Sequence, residues 1–137
     1  MAEHETRVTI NSDADIVAAR QQGRSLAKEL GFSTSDQALI ATAISEVARN
    51  IVQYAKRGEI ILSIAREKGK QGIAVVARDD GPGIPDIQLA LQDGYSTTRS
   101  LGLGLPGAKR LTDEFEIVSE VGKGTTVRMK KWTSPDG

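Results

Sequence analysis

Glu46 and Asn50 stand four residues apart, in a stretch whose apolar residues recur at helical spacing. On a helix this spacing puts a carboxylate and a neutral amide oxygen on one face, about one turn apart. Asn50 could supply a ligand to Mg²⁺, a hard ion that takes oxygen ligands, keeps several waters and draws the rest from phosphates. Glu46 could take a proton from a water or a hydroxyl nucleophile. The alternative is that both belong to the solvated face of an amphipathic helix.

Asp79 ends an apolar, strand-like run and is followed by Asp80, Gly81, Pro82 and Gly83. A carboxylate at this point can accept a hydrogen bond from an exocyclic amine, such as that of adenine, and the glycines let a ligand lie against the backbone. An aspartate that only forms a turn, which is common before glycine, is the alternative. Composition does not choose between the two adjacent aspartates.

A second glycine cluster, Gly102-Leu103-Gly104-Leu105, comes just before a helix-like run. Glycine N–H groups at the start of a helix can bind a phosphate chain, since the positive end of the helix dipole lies there. Thr98 and Arg99 belong to the polar segment between the two glycine clusters, which could close over the phosphates. Arg99 could stabilise negative charge on a transferring phosphoryl group, or it could be an exposed loop arginine.

Composition excludes several classes of chemistry. The chain has 18 basic and 18 acidic side chains, so no basic excess marks a nucleic-acid or membrane partner. It has no cysteine, which excludes disulfides and thiolate sites. Its one histidine, His4, lies near the N-terminus, so a His-based metal site or phosphohistidine is not expected. We therefore expect a cytoplasmic protein that binds neither nucleic acid nor membranes.

Hydrophobic periodicity and turn signals predict the elements that position these residues. The predicted strands are residues 6–11, 59–66, 72–78, 114–120 and 125–132, and the predicted helices are 14–30, a helix capped by 33–36 and running to about 55, 86–93 and 103–111. The second and third strands are expected to form a hairpin with a loop longer than two residues. The length fits a single domain, residues 1–137 with a core at about 6–132. The element order predicts an α/β fold, a two-layer sandwich whose mainly antiparallel sheet carries helices on one face.

In this order, the clusters resemble the boxes of the GHKL (Bergerat-fold) ATP-binding domain. Residues 46–50, EVARN, are similar to its N box, residues 79–83, DDGPG, to its D-x-G-x-G box, and residues 102–105, GLGL, to its G-x-G-L box. Gly124-Thr125 matches the late Gly-Thr pair on the adenine side. The resemblance runs over nearly the whole chain. The N box and residues 94–105 make it closest to the anti-sigma-factor serine kinase branch.

The resemblance implies a role for each matched residue. Asn50 would bind Mg²⁺, Asp79 would contact the adenine amine with support from Thr125, and Glu46 would be the catalytic base. The residues expected to bind ATP are Asn50, Asp79, Gly81, Gly83, Thr98, Gly102, Leu103, Gly104, Leu105 and Thr125, and those expected to act in catalysis are Glu46 and Arg99.

One departure from the family pattern concerns the phosphates. Many relatives carry His or Lys shortly after the N-box asparagine, whereas this chain has Gln53 and Tyr54 there. We expect either Arg99 or Lys56 to replace this positive contact.

The implied function is an ATP-dependent protein serine/threonine kinase. Glu46 suits it, because a serine or threonine hydroxyl gains from a base, whereas a histidine nucleophile needs none. By resemblance, its substrates would be STAS-domain antagonist and scaffold proteins of a bacterial partner-switching stress response, and phosphorylation would release it to activate a PP2C-type phosphatase. The alternative is a nucleotide-gated anti-sigma factor, a binding module with little turnover. A fragment of a larger ATPase is disfavoured, because dimerisation and transducer segments are missing.

Overall fold

The computed structural model describes residues 3–55, 57–83 and 104–133. In chain order its elements are β1 (Glu3–Ile10), α1 (Asp13–Glu29), α2 (Thr34–Tyr54), β2 (Gly58–Glu67), β3 (Lys70–Asp79), α3 (Gly104–Leu111), β4 (Glu114–Glu120) and β5 (Gly124–Trp132). The predicted helix at 86–93 lies outside the described residues, as do Lys56, Thr98, Arg99, Gly102 and Leu103.

The five strands form one sheet in the order β1-β2-β3-β5-β4, and each neighbouring pair is antiparallel. Side chains alternate between the two faces of a sheet. One face therefore carries buried apolar residues such as Leu62, Val75 and Met129, while the other carries charged pairs such as Arg78 with Glu59. Helices α1 and α2 contribute the other side of the apolar core. This arrangement confirms the predicted two-layer α/β sandwich.

Short polar side chains fix where the two long helices begin. The Asp15 carboxylate accepts a hydrogen bond from the backbone N–H of the N-cap residue Ser12 at 3.1 Å, and the Ser33 hydroxyl accepts one from the N–H of Asp36 at 3.1 Å. Each bond satisfies an N–H group that has no partner within the helix. Asn11 also donates its N–H to Asp15, at 2.8 Å, and the first strand ends at Ile10, one residue before its predicted end.

Gly23, an unfavourable residue in the middle of a helix, is explained by the packing of α1 on α2. It is buried, and a Cβ atom added at this position would overlap with the Ile44 side chain. The glycine therefore permits the close approach of the two helices. None of the helices in the described part of the chain is both long enough and apolar enough to cross a membrane.

The predicted long loop between β2 and β3 is wrong. Glu67 pairs with Lys70, so only Lys68 and Gly69 lie between the strands. These two residues have φ angles of 48° and 81°, and positive φ at both central positions defines the type I′ turn of two-residue hairpins. The sequence offered little indication of a two-residue turn, because a lysine rarely adopts a positive φ.

Replacing Lys68 by Asn is expected to stabilise the protein. Asn adopts a positive φ more readily than Lys, and Asn-Gly is a favoured pair for this turn. We expect the unfolding free energy, measured by denaturant titration, to rise by about 0.5 kcal/mol or more. Lys123→Asn is the matched control, since it removes a turn lysine without a positive φ. An unchanged or lower stability of Lys68→Asn would contradict the prediction.

Candidate functional site

Glu46 lies on the C-terminal half of α2 and is only 5% exposed. Its Oε1 atom accepts a hydrogen bond from the backbone N–H of Gly104 at 2.9 Å, and its Oε2 atom accepts one from Arg49 Nη1 at 3.2 Å. The alternative of a solvated helix face is therefore wrong for this residue. Glu46 is buried because α3 packs against the same part of α2.

Exposure increases along the polar face of α2. Glu46 is buried, Asn50 one turn later is half-buried, and Gln53 is exposed. Asn50 thus stands between the buried carboxylate and the solvent-facing end of the helix. A half-buried amide in this position can still offer its oxygen to a ligand.

Helix α3 begins among the glycines of the second cluster. Gly104 has a φ of 69°, a conformation that favours glycine. Its N–H group is one of the first in the helix, which have no partner within the helix, and it is donated to Glu46. Leu105 follows and packs its side chain into the core. Two clusters that lie 58 residues apart in the sequence therefore meet at one hydrogen bond.

Asp79 is the last residue of β3, and it differs from the adjacent Asp80 in burial. Its side chain is 8% exposed, whereas Asp80 is exposed. The Oδ1 atom of Asp79 accepts a hydrogen bond from the N–H of Gly81 at 2.9 Å. Burial raises the pKa of the Asp79 carboxyl above its ordinary value, although hydrogen bonds from the backbones of Gly81 and Thr125 act in the opposite direction. Asp79 is thus the aspartate placed to serve an interior site.

Thr125 is paired with Asp79 in the ladder between β3 and β5 and is itself buried. Its hydroxyl forms a hydrogen bond of 2.8 Å with the hydroxyl of Ser119 on β4. The preceding Gly124 has a φ of 107°, and a Cβ atom added there would overlap with the Asp79 carbonyl. The Gly-Thr pair therefore lets β5 approach the end of β3 closely, beside the carboxylate.

The glycines of the first cluster have a packing role. A Cβ atom at Gly81 would overlap with the residue that caps the C-terminus of α2, and one at Gly83 would overlap with the Glu120 carbonyl. Between them, the Pro82 carbonyl accepts a hydrogen bond from the N–H of Gly122 at 2.8 Å. The cluster is thus packed between α2 and the turn from β4 to β5. The expected contact of Gly81 and Gly83 with a ligand stays a prediction.

Two contacts between residues far apart in the sequence build the candidate site. Glu46 is bonded to Gly104 at the start of α3, and Asp79 is paired with Thr125 across the sheet. The roles expected of the residues outside the described ranges stay predictions, including the stabilisation of phosphoryl charge by Arg99.

Two further residues of the site, Arg49 and Ser119, did not stand out in the sequence. The spacing of three between Glu46 and Arg49 is typical of a helical ion pair, and this signal was present. Ser119 lies opposite Thr125 in the hairpin of β4 and β5. The alternation of side chains along β4 could have identified it, because this alternation places Ser119, a polar residue, on the core-facing side of the strand.

The donors of this site fit a nucleotide with its magnesium ion. Among residues 3–55, 57–83 and 104–133, no group of three or more His, Cys, Asp or Glu could hold a metal by itself. The amide oxygen of Asn50 suits Mg²⁺, which takes its other ligands from phosphates and water. The buried Asp79 carboxylate can accept a hydrogen bond from an amine, while the phosphate contacts expected of the second glycine cluster stay a prediction.

Comparisons with known proteins point to the same kind of domain. Residues 10–131 match the family model described as a histidine kinase-like ATPase domain. Serine/threonine-protein kinase RsbT of Bacillus subtilis is 55% identical over 125 residues, which are 91% of this chain and 94% of RsbT. The anti-sigma F factor of Geobacillus stearothermophilus is 33% identical over 129 residues, covering 83% of this chain and 87% of that protein.

A solved structure shares the fold. It contains the RsbU and RsbW domains of a Mycobacterium tuberculosis protein and superposes with a TM-score of 0.64 at 23% identity. The match covers 96% of this chain, which spans 33% of the length of that protein. The chain belongs to the histidine kinase-like ATPase domain family. Within that family, its similarity is to the serine/threonine kinase RsbT and the anti-sigma F factors, and the expected GHKL-type ATP-binding domain is confirmed.

The raised pKa of Asp79 predicts a pH-dependent effect of Asp79→Asn on stability. Because burial raises the pKa above the ordinary 3.8, the folded state binds this proton more tightly than the unfolded state. The stability linked to the protonated form is therefore lost as the pH rises through the folded-state pKa. We expect the unfolding free energy of Asp79→Asn, minus that of the parent, to increase with pH from 3.8 and then level off.

Denaturant unfolding of both proteins over the acidic and neutral range measures this difference. Asn retains an acceptor for the Gly81 N–H, so the substitution removes mainly the charge. Asp80→Asn, at the exposed neighbour, is the control and should show no comparable trend. A difference that shrinks as the pH rises would mean that the hydrogen bonds to Asp79 outweigh its burial.

Proposed function

We propose that this chain is an ATP-dependent protein serine/threonine kinase. The observation that carries the proposal is the contact of Glu46 with Gly104, which holds a buried carboxylate at the glycine cluster expected to bind phosphates. Phosphoryl transfer to a hydroxyl is accelerated by a base within reach of the reacting group. The 55% identity to RsbT, a protein named a serine/threonine-protein kinase, supports the same activity.

Each end of the site has its own task in this reaction. Asp79, flanked by Thr125, accepts a hydrogen bond from the adenine amine. Asn50 would hold Mg²⁺ through its amide oxygen, and the ion would supply neutralisation of the phosphate charge. Glu46 takes the proton of the acceptor hydroxyl while that oxygen bonds to the γ-phosphorus and the bond to the β-phosphate oxygen breaks, leaving ADP. Arg99 stabilises the negative charge that develops in the transfer.

The protein substrates proposed for this kinase are STAS-domain antagonist and scaffold proteins, phosphorylated on serine or threonine in the cytoplasm. Phosphorylation adds a charge of about −1.5 to −2 at the contact surface and can separate the two proteins. The released kinase then activates a PP2C-type phosphatase. The similarity to RsbT and to anti-sigma F factors supports this partner-switching role.

A second candidate function is a nucleotide-gated binding module that acts as an anti-sigma factor. The similarity to several anti-sigma F factors, at 32–33% identity over most of the chain, favours it. Both functions use the same ATP site. They differ in whether the proton-accepting role of Glu46 is needed.

Glu46→Gln is expected to abolish most phosphate transfer while ATP binding is retained. Gln can still accept the hydrogen bond from Gly104 but is a poor proton acceptor, and general-base catalysis contributes about 10²–10⁴-fold. The measurement is transfer of labelled γ-phosphate from Mg·ATP to a purified STAS-domain protein, with parent and variant assayed side by side.

Two results would count against the kinase. An absence of label on the partner, with ATP binding demonstrated, would favour the binding module. A release of the partner by ATP that is the same in Glu46→Gln and the parent would show that catalysis is dispensable.

Asn50→Ala is expected to lose Mg·ATP binding with the fold retained, because it removes the amide oxygen offered to Mg²⁺. Calorimetric titration with Mg·ATP measures the affinity, and thermal unfolding checks the fold. Gln22→Ala removes an exposed amide from α1 and is the control, with affinity expected to stay at the parent level. Normal Mg·ATP binding by Asn50→Ala would show that the metal assignment is wrong.

A further inference from the structure

We propose that Arg49 is a positioning residue for the catalytic base, an inference that rests on the kinase activity proposed above. Arg49 lies three residues after Glu46 on α2, and its Nη1 atom is 3.2 Å from Oε2 of the carboxylate. The other oxygen of Glu46 is bonded to the N–H of Gly104 at 2.9 Å. The carboxylate is therefore held at both oxygens, once from its own helix and once from α3.

Burial makes this second contact necessary. The side chain of Glu46 is 5% exposed, so water can compensate little of its negative charge, and a buried carboxylate without partners is strongly unfavourable. The side chain of Arg49 is 34% exposed and reaches the carboxylate from the surface. Arg49 thus brings a positive charge to Glu46 while part of its own side chain remains in water.

The contact also restricts the orientation of the base. The terminal torsion of a glutamate side chain has a broad energy profile, so one hydrogen bond leaves the carboxylate free to rotate. The guanidinium of arginine presents its donors in a rigid plane, which defines a direction better than the ammonium of lysine does. A carboxylate has about four acceptor positions, and the bonds from Arg49 and Gly104 take up two of them.

In this proposal Arg49 acts through Glu46 and not through a contact with ATP. Its removal should therefore lower the rate of the chemical step while nucleotide affinity is kept. Reacting groups that are displaced by about 1 Å can lose on the order of 100-fold in rate. A loss in this direction, confined to kcat, distinguishes positioning of the base from a contact with the nucleotide.

The test is Arg49→Gln, assayed for phosphate transfer to the STAS-domain protein and for Mg·ATP affinity. We expect kcat to fall about tenfold or more while Kd for Mg·ATP stays within about twofold. Arg49→Lys keeps a charged donor and should recover part of the lost kcat. The control is Arg128→Gln, which removes an arginine paired with Glu116 on the outer face of the sheet and should leave both values unchanged.

Each other outcome has a defined meaning. A parental kcat in Arg49→Gln overturns the proposal, and so does a Kd that rises in proportion to the loss of kcat, since that shows a contact with the nucleotide. If Arg49→Gln fails to fold, Arg49→Lys decides, because a parental kcat in that variant overturns the proposal and a reduced kcat at unchanged Kd supports it. Absence of transfer by the parent protein overturns the kinase activity itself and this inference with it.

Discussion

Helix α2 is covered on two sides, and the candidate site depends on this double contact. Ile44, Val47 and Ile51 are buried in the core that the helix shares with the sheet. Helix α3 covers another part of the same helix and buries Glu46 there. A single helix thereby supplies both the apolar surface that holds the two layers together and a carboxylate removed from water. The partners of that carboxylate follow from its burial, because a charge in this position requires hydrogen bonds.

The carboxylate of Asp79 is positioned by the sheet, through the close spacing of β3 and its two neighbouring strands. Asp79 has Gly58 as its partner on β2 and Thr125 as its partner on β5. At Gly58 and at Gly124, an added Cβ atom would overlap with the backbone of β3, so only glycine permits this spacing of the strands. The end of β3 is therefore held closely from both sides. This tight packing buries Asp79 and thereby raises the pKa of its carboxyl.

Patterns among residues close in sequence were sufficient to predict most of the helices and strands. The cap at Ser33, the apolar stripe of α2 and the alternation of β4 each depend on residues close in sequence, and the corresponding elements are confirmed. The turn at Lys68 was missed for a local reason, since an unfavourable residue occupies a position that usually selects Asn or Gly. The pairing between β2 and β3 overrides that preference across ten residues of each strand.

The site itself was predictable only in part, because its geometry depends on residues far apart in the chain. Residue type and spacing identified Glu46 and Asp79 as candidates. The burial of Glu46 depends on α3, and the burial of Asp79 beside Thr125 depends on the register with β5. Spacing in the sequence shows that two residues four positions apart share one face of a helix. It does not show which other element of the fold covers that face.

The burial of Glu46 bears on the choice between an enzyme and a binding module. A module that only holds ATP needs an acceptor for adenine, donors for phosphates and a ligand for the metal ion. It has no need of a buried carboxylate at the glycine cluster that is expected to bind phosphates, where a negative charge would repel the ligand. Replacing a buried ion pair by neutral residues is often neutral or favourable for stability, so stability alone does not account for Glu46 and Arg49 at this position. A base that accepts a proton from a hydroxyl, the role proposed for Glu46, would account for them.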